Sequence, residues 1–320
     1  MVCNRLGMSG IPATKTEGAC ASGGIAFRLA VLGIALGLYD VVLAAGAEKM
    51  TSASTAEVTA GLATAGDEEA EMRSGLTFPG AFAMVTREHM ARYGTTREQI
   101  GLVSVKNHGL GVANPKAQFR KPVTLDEVLA SRLIADPLRL FDCPPISDGA
   151  AAVVLCPAAQ ARELQSRPVR VLGTGHATGP ATLWEMDDLT TFPATVRAAR
   201  EAYAAAGITP ADVDVAEVHD CFTTAEIVAS EDLGFFPRGQ GGRAVQEGWS
   251  AVDGRIAINP SGGLIAKGHP VGATGCAQIY ELVRQLRGEA ANQVSGCEIA
   301  LAHNLGGTGV VSTVTVLGRL

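Results

Sequence analysis

From Gly24 to Leu38 every position is apolar or glycine except Arg28. A helix without a polar stripe needs cover on nearly all sides, so the pattern predicts a helix over about Ser22–Leu38 held between two protein layers. It falls short of the roughly 20 residues needed to cross a bilayer, carries a charge and is broken by Gly33 and Gly37, which argues against a membrane span. The next run, Asp40-Val-Val-Leu-Ala-Ala-Gly46, is short, apolar and closed by glycine. It predicts a strand buried on both faces, and Gly149 to Cys156 predicts a second one. Residues 50–145 between them are more polar and varied and read as a long excursion, with an amphipathic helix from Ala81 to Tyr93. Beyond residue 168, strand and helix patterns alternate: Val169–Gly173, Pro193–Ala206, Val213–Val218, Ala273–Leu286, Glu298–Ala302 and Val310–Leu317. That alternation predicts a layered α/β architecture.

A weak repeat underlies the pattern. Gly18-Ala-Cys20-Ala-Ser-Gly-Gly opens the first apolar helix, which leads to a strand. Gly268-His269-Pro-Val-Gly-Ala-Thr-Gly275 opens another, leading to the strand Glu298–Ala302 and then to His303-Asn-Leu-Gly-Gly-Thr-Gly309. Two copies of the order reactive residue, glycines, helix, strand suggest two related halves facing each other. We place them at residues 1–165, with the excursion inside, and 166–320.

Composition narrows the function. Hydrophobic residues make up 47% of the 320, charged residues 18% and aromatics 5%, which suits a packed core and not disorder. A formal charge of -6 argues against a general nucleic-acid binder, although a local basic cluster can still hold an anionic ligand. The seven cysteines include no Cys-x-x-Cys pair, which argues against zinc, and no apolar leader follows Met1. The expectation is a cytoplasmic protein with reduced thiols, most of them core filler.

Three places carry candidate chemistry. Cys20 stands where a glycine-rich turn enters a helix, and there the positive helix end and backbone N–H groups lower a thiol pKa and can hold an oxyanion. A cysteine between Ala and Ser also reads as a small packed residue. His269, between Gly268 and Pro270, is fixed on a tight turn, which suits a positioned base or donor. His219-Asp220-Cys221-Phe222 follows directly on a strand, where α/β folds commonly keep their reactive groups. The plainer reading of that tetrad is a polar turn, with Asp220 capping the helix that follows. Asn304 and Gly306 add a polar group and a flexible backbone donor.

Taken in order, these motifs resemble the thiolase superfamily, most closely its sterol-carrier-protein-type thiolases and the related acetyl-CoA acetyltransferases. The likeness runs from about Cys20 to the C-terminus and includes Lys106-Asn-His108, Phe119-Arg-Lys121 and Ser147-Asp-Gly149. It implies an αβαβα fold of two halves with a loop domain. It also implies a Claisen condensation or thiolysis of 3-oxoacyl-CoA through an acyl-Cys20 intermediate. In the implied scheme His269 activates the thiol and helps polarise the second thioester, His219 and His269 are the two donors that stabilise the enolate, and Cys221 is the acid/base. Cys221 thereby replaces the cysteine that many thiolases carry where this chain has Asn304-Leu305-Gly306. Backbone N–H groups of Cys20 and Gly306 are the implied oxyanion donors.

Coenzyme A thioesters are then substrates, with no resident cofactor or metal. Arg120, Lys121 and Arg132 are charge-based guesses for CoA contacts, a solvated face being the plainer reading of each. A homodimer or dimer of dimers, and a small OB-fold partner protein, are implied partners. A thiolase-like carbon–carbon lyase, a complex-bound acyltransferase subunit and an inactive homologue acting as a binding subunit stand as alternatives. The family carries additional chain before the cysteine loop, so the first half is expected to be incomplete at its N-terminus.

Overall fold

The computed structural model describes residues 2–320. The elements that position the site are α1 (Ser22–Ala35), β1 (Val42–Glu48), α2 (Phe78–Tyr93), α3 (Arg97–Gly111), β2 (Gly149–Leu155), β3 (Val169–Thr178) and α4 (Pro193–Ala206). They continue with β4 (Val215–Glu217), α5 (Thr223–Asp232), β5 (Ala257–Ile258), α6 (Gly263–Lys267), α7 (Thr274–Arg287), β6 (Ile299–Gly306) and β7 (Val311–Arg319). The fold is the mixed, layered α/β type that the pattern predicts.

The second half builds a five-stranded sheet in the order β3-β7-β6-β4-β5. Its two short strands, β4 and β5, run parallel to β6, while β7 is antiparallel to both of its neighbours. Helix α4 lies against β3 and β7, burying Ala194, Ala198, Ala199 and Ala202. The approach is close because β3 carries glycine at the contact: a Cβ on Gly175 would lie 1.9 Å from the Ala198 carbonyl oxygen. Helix α7 covers the opposite face, burying Cys276, Ile279, Leu282 and Leu286 in one cluster with Ala300, Ala302 and Leu317.

The first half repeats the central motif. Helix α1 leads to β1, which pairs antiparallel with β2, as α7 leads to β6 and its antiparallel partner β7. The expectation that β1 and β2 are buried on both faces does not hold. Val42, Ala44, Ala151 and Val153 turn toward the α1–α7 core. The facing pairs Leu43–Val154, Ala45–Ala152 and Ala47–Ala150 are exposed. Among the described residues no helix lies over that face as α4 does over β3 and β7. Helix α1 is buried along Gly23, Gly24, Phe27, Ala30 and Gly33 only, and Leu29 stays 45% exposed.

Two further elements differ from expectation. The strand predicted to end at Ala302 continues through Gly306, so His303 and Asn304 are strand residues paired with Val314 and Thr313, and not part of a loop. The strand predicted over Val213–Val218 keeps ladder pairing only at residues 215–217; the Val218 N–H instead donates to Asn259 Oδ1 at 2.8 Å. Helix α4 has the predicted limits, and α7 is displaced by one residue. Within the excursion, α3 packs against α5 and α6, which brings residues 97–111 under the candidate motifs at 219–222 and 268–269.

Candidate active site

The two halves meet where α1 and α7 begin. A Cβ on Gly275 would lie 2.1 Å from the Gly24 nitrogen, and one on Gly24 would lie 2.1 Å from Thr313 Oγ1. Only glycine permits backbones this close, and real Cβ atoms do not approach so near. The contact brings the N-terminal turns of both helices together, and with them Cys20 and His269. The cysteine turn is braced locally. Gly18 and Ala19 N–H donate to Glu17 Oε1 at 3.1 and 2.8 Å, and Ser22 Oγ donates to the Ala19 carbonyl at 2.7 Å. Ala19 holds a left-handed φ of 50°, uncommon for a residue with a side chain and the kind of strain that gathers at functional turns.

Cys20 Sγ and one ring nitrogen each of His219 and His269 lie within 4.8 Å of one another. The two imidazoles meet edge to face, 4.9 Å between centroids. Asn304 joins them: its Oδ1 accepts the Gly24 N–H at 3.1 Å, and its amide nitrogen donates to the Cys20 carbonyl at 2.9 Å and to His219 Nδ1 at 3.1 Å. The His269 backbone N–H donates to Ser147 Oγ at 3.0 Å, and its Nδ1 bonds Thr274 Oγ1 at 2.8 Å. His269 Nε2 is buried with no partner among the described residues. The structure thus brings together Cys20, His219, His269 and Asn304. Cys221 lies beside them, near enough that a thiolate on Cys20 opposes one on Cys221.

The electrostatics correct one expectation outright. Burial pushes the Cys20 thiol up to about 11; the Gly307 and Cys20 N–H groups offset part of that, and Glu48 and Glu17 add to the rise. Cys20 is half-buried, and loss of hydration at its sulfur penalises a thiolate more than the two N–H groups favour it. Burial holds His269 down to about 4 and His303 to about 3. His219 falls well below its ordinary value through burial, aided by His269 and His303. All three imidazoles are neutral at pH 7. The Cys221 thiol is raised well above its ordinary value by burial first, then by Cys20 and Asp220.

These values give a pH dependence. A thiol raised to about 11 is ionised to about one part in ten thousand at pH 7. Alkylation of Cys20 by iodoacetamide in the free enzyme is therefore expected to rise about tenfold per pH unit from 7 to 10. No plateau is expected there, and no limb from His269, which is neutral throughout. A plateau below pH 8, followed by peptide mass spectrometry, would overturn the desolvated-thiol reading.

Other site expectations shift in detail. The backbone donors at the cysteine sulfur are the N–H groups of Gly307 and of Cys20 itself. Gly306 closes β6, where a Cβ would lie 2.3 Å from the Gly18 carbonyl oxygen, so the close approach of the cysteine turn requires glycine there. Asp220 does not cap the helix that follows it, which has no side-chain cap. Its carboxylate instead accepts the Leu264 N–H at 2.7 Å and the Ile265 N–H at 3.3 Å, capping α6. Helix α6 ends directly before Gly268-His269, so Asp220 ties the two histidine loops together. Asn107 of α3 donates to Asp220 Oδ2 at 2.8 Å and to Glu226 Oε2 at 2.9 Å. Lys106 pairs with Glu226 at 2.9 Å, which accounts for the Lys106-Asn-His108 motif as buried support.

Arg120, Lys121 and Arg132 are exposed and form no ion pair among the described residues. The chain just before the first two is anchored to α6, with Gln118 N–H bonding the Lys267 carbonyl and Phe119 N–H the Ala266 carbonyl. A cavity of about 550 Å³ lies behind the His269 loop, lined by Lys116, Gln118 and Lys267, the edge of β2 at Ala150–Ala152, and Tyr280 of α7. Thr274, Ser147 as a backbone anchor, and Gly307 were missed in the sequence. Only Thr274 left a signal, a hydroxyl residue five positions after His269 at a helix start. All seven cysteines are free, and Cys276 and Cys297 are core residues.

Comparison with known proteins agrees with this architecture. The thiolase N-terminal domain matches residues 1–159, and the thiolase C-terminal domain-like family matches residues 175–319. The chain is 51% identical to "Acetyl-CoA acetyltransferase" of Methanothermobacter thermautotrophicus over 320 residues, covering 100% of this chain and 83% of the relative. It is 41% identical to human "Sterol carrier protein 2" over 331 residues, covering 99% of this chain and 60% of that one. Among solved structures, the "Ltp2-ChsH2(DUF35) aldolase" superposes with a TM-score of 0.86 at 29% identity, covering 99% of this chain and 82% of that one. With family models over both halves and this level of identity, the chain belongs to the thiolase family.

Proposed function

We propose that the chain is an acyl-CoA C-acyltransferase that works through an acyl-Cys20 intermediate. One observation carries the reading: a thiol and two neutral imidazoles within 4.8 Å, Cys20 and His269 at facing helix starts and His219 just beyond a strand. His269 Nε2, unpartnered, takes the Cys20 proton as the sulfur attacks the carbonyl carbon of an acyl-CoA. With the thiol raised to about 11 and the imidazole held to about 4, a standing ion pair is disfavoured, so proton transfer accompanies attack. The new C–S bond forms, the CoA thiolate leaves with that proton, and backbone N–H groups at the turn receive the transient oxyanion. A second acyl-CoA then sets its carbonyl oxygen against His219, which makes its α-proton removable by Cys221 acting as the thiolate, its own proton having gone to solvent. The carbanion attacks the acyl-Cys20 carbonyl, forming the carbon–carbon bond and releasing the Cys20 thiolate, which takes the abstracted proton from Cys221. The reverse sequence is thiolysis of a 3-oxoacyl-CoA.

The identity to an acetyl-CoA acetyltransferase supports short acyl groups as substrates, and Arg120 and Lys121 are the proposed CoA contacts. A cytoplasmic setting and a dimer belong to the same proposal. No helix among the described residues is long and apolar enough to cross a membrane. A second reading, a carbon–carbon lyase of aldol type with a small partner protein, draws on the likeness to the aldolase. That chemistry needs no acyl-cysteine, whereas this chain keeps Cys20, Cys221 and both histidines. The deciding assay supplies acetoacetyl-CoA with and without free CoA. CoA-dependent acetyl-CoA production, with an acetyl mass on the Cys20 peptide, is expected. Cleavage independent of CoA and with Cys20 unlabelled would favour the lyase.

A further inference from the structure

We propose that Asn304 is a positioning residue that locks His219 as its Nε2–H tautomer, so that His219 offers a hydrogen-bond donor and not a base to the thioester. Only the statement about the thioester rests on the acyltransferase reading; the tautomer follows from hydrogen-bond accounting in the free protein. The Gly24 N–H is buried and must meet an acceptor. It meets Asn304 Oδ1, which fixes which end of the amide faces α1. The amide nitrogen then has two hydrogens and no capacity to accept. One goes to the Cys20 carbonyl and the other to His219 Nδ1. Nδ1 therefore supplies a lone pair, and a neutral imidazole must carry its proton on Nε2. The ring's one hydrogen bond among the described residues is at Nδ1, so the Nε2–H is left for a ligand.

His269 is set the opposite way. Thr274 Oγ1 lies 2.8 Å from Nδ1 and 3.1 Å from the Pro270 carbonyl; with the hydroxyl hydrogen on that carbonyl, the oxygen receives Nδ1–H and Nε2 keeps its lone pair. Two rings 4.9 Å apart thus present a donor and a base, the division of labour that a deprotonation followed by enolate stabilisation requires. The same assignment bears on the spacing of Cys20, His219 and His269, which matches a metal-ligand set. A metal needs a lone pair from each imidazole, and Asn304 withholds the one on His219.

Ring-¹⁵N-labelled histidine, read by long-range nitrogen–proton correlation in the substrate-free enzyme, tests this directly. His219 is assigned from a His219→Gln spectrum. In the wild type, Nδ1 is expected as pyridine-type and Nε2 as pyrrole-type. Asn304→Asp, whose carboxylate only accepts, should exchange the two types, and Asn304→Ala should give a mixture. In thiolysis of acetoacetyl-CoA, Asn304→Asp should lose about 10²–10³-fold in kcat, the size of a lost oxyanion donor, with KM changed only a few-fold. A pyrrole-type Nδ1 in the wild type overturns the proposal, even if neither variant folds. So does an Asn304→Asp spectrum identical to wild type. The expected tautomer in an enzyme without thiolytic activity would instead overturn the acyltransferase reading and leave this one standing.

Discussion

Cys20→Ala is expected to remove acyl transfer to the protein altogether and to lower turnover by about a millionfold, the scale seen when a covalent nucleophile is deleted. The physical reason is that no other group can take its place. Cys221 is buried and its thiol is raised further by its neighbours, so it is a still poorer nucleophile in the free enzyme. The alanine removes one sulfur at the mouth of a turn that Glu17 and Ser22 hold through backbone contacts, so folding should be unaffected. Incubation with acetyl-CoA, followed by intact-mass and peptide analysis, is the check. The wild type should gain one acetyl group on the Cys20 peptide and the variant none. Acetyl on Cys221 in either protein, or turnover within tenfold of wild type, would reassign the nucleophile.

Much of this site was legible in the sequence because each reactive residue is tied to a local pattern. Cys20 and His269 stand at glycine-rich helix starts, and the tetrad at 219–222 follows a short apolar run. Geometry at a helix start or strand end is set within a few residues, so the sequence neighbourhood suffices. The strand limits at Val215–Glu217 and Ile299–Gly306 were less legible. His303 and Asn304 look like loop residues by composition, yet burial on both faces of β6 and pairing with β7 keep them in the ladder. Long-range pairing overrode local polarity there.

What pattern reading could not supply was the sign of a pKa shift or the partner of a cap. A thiol at a helix start has two opposing influences, and only the three-dimensional burial of Cys20 shows that desolvation wins. Likewise, Asp220 looks like the cap of α5, its nearest helix in sequence. Gly263, with a φ of +59°, brings the start of α6 against the carboxylate, and α6 takes the cap instead. The both-faces burial expected of β1 failed for a similar reason. An apolar run reports what a strand could bury, not what lies over it.

Cys221→Ala is expected to stop α-proton chemistry while leaving Cys20 acylation intact. Burial first, then Cys20 and Asp220, holds the Cys221 thiol well above its ordinary value, so the thiolate that takes the α-proton is scarce but strongly basic. Proton abstraction by that thiolate is the step to follow. Deuterium exchange into the methyl group of acetyl-CoA, followed by mass spectrometry, measures it. Cys221→Ala should lose about two to four orders of magnitude in exchange and in condensation, the usual contribution of a positioned proton-transfer group. Acetylation of Cys20 should stay within a few-fold of wild type. Cys221→Ser, which keeps the volume among Phe82, Phe222, Leu264 and Leu305, separates proton transfer from packing. If the serine variant exchanges at the wild-type rate, or if exchange in the alanine variant is unchanged, Cys221 is a packing residue. Another group near the acyl-cysteine would then have to take the proton.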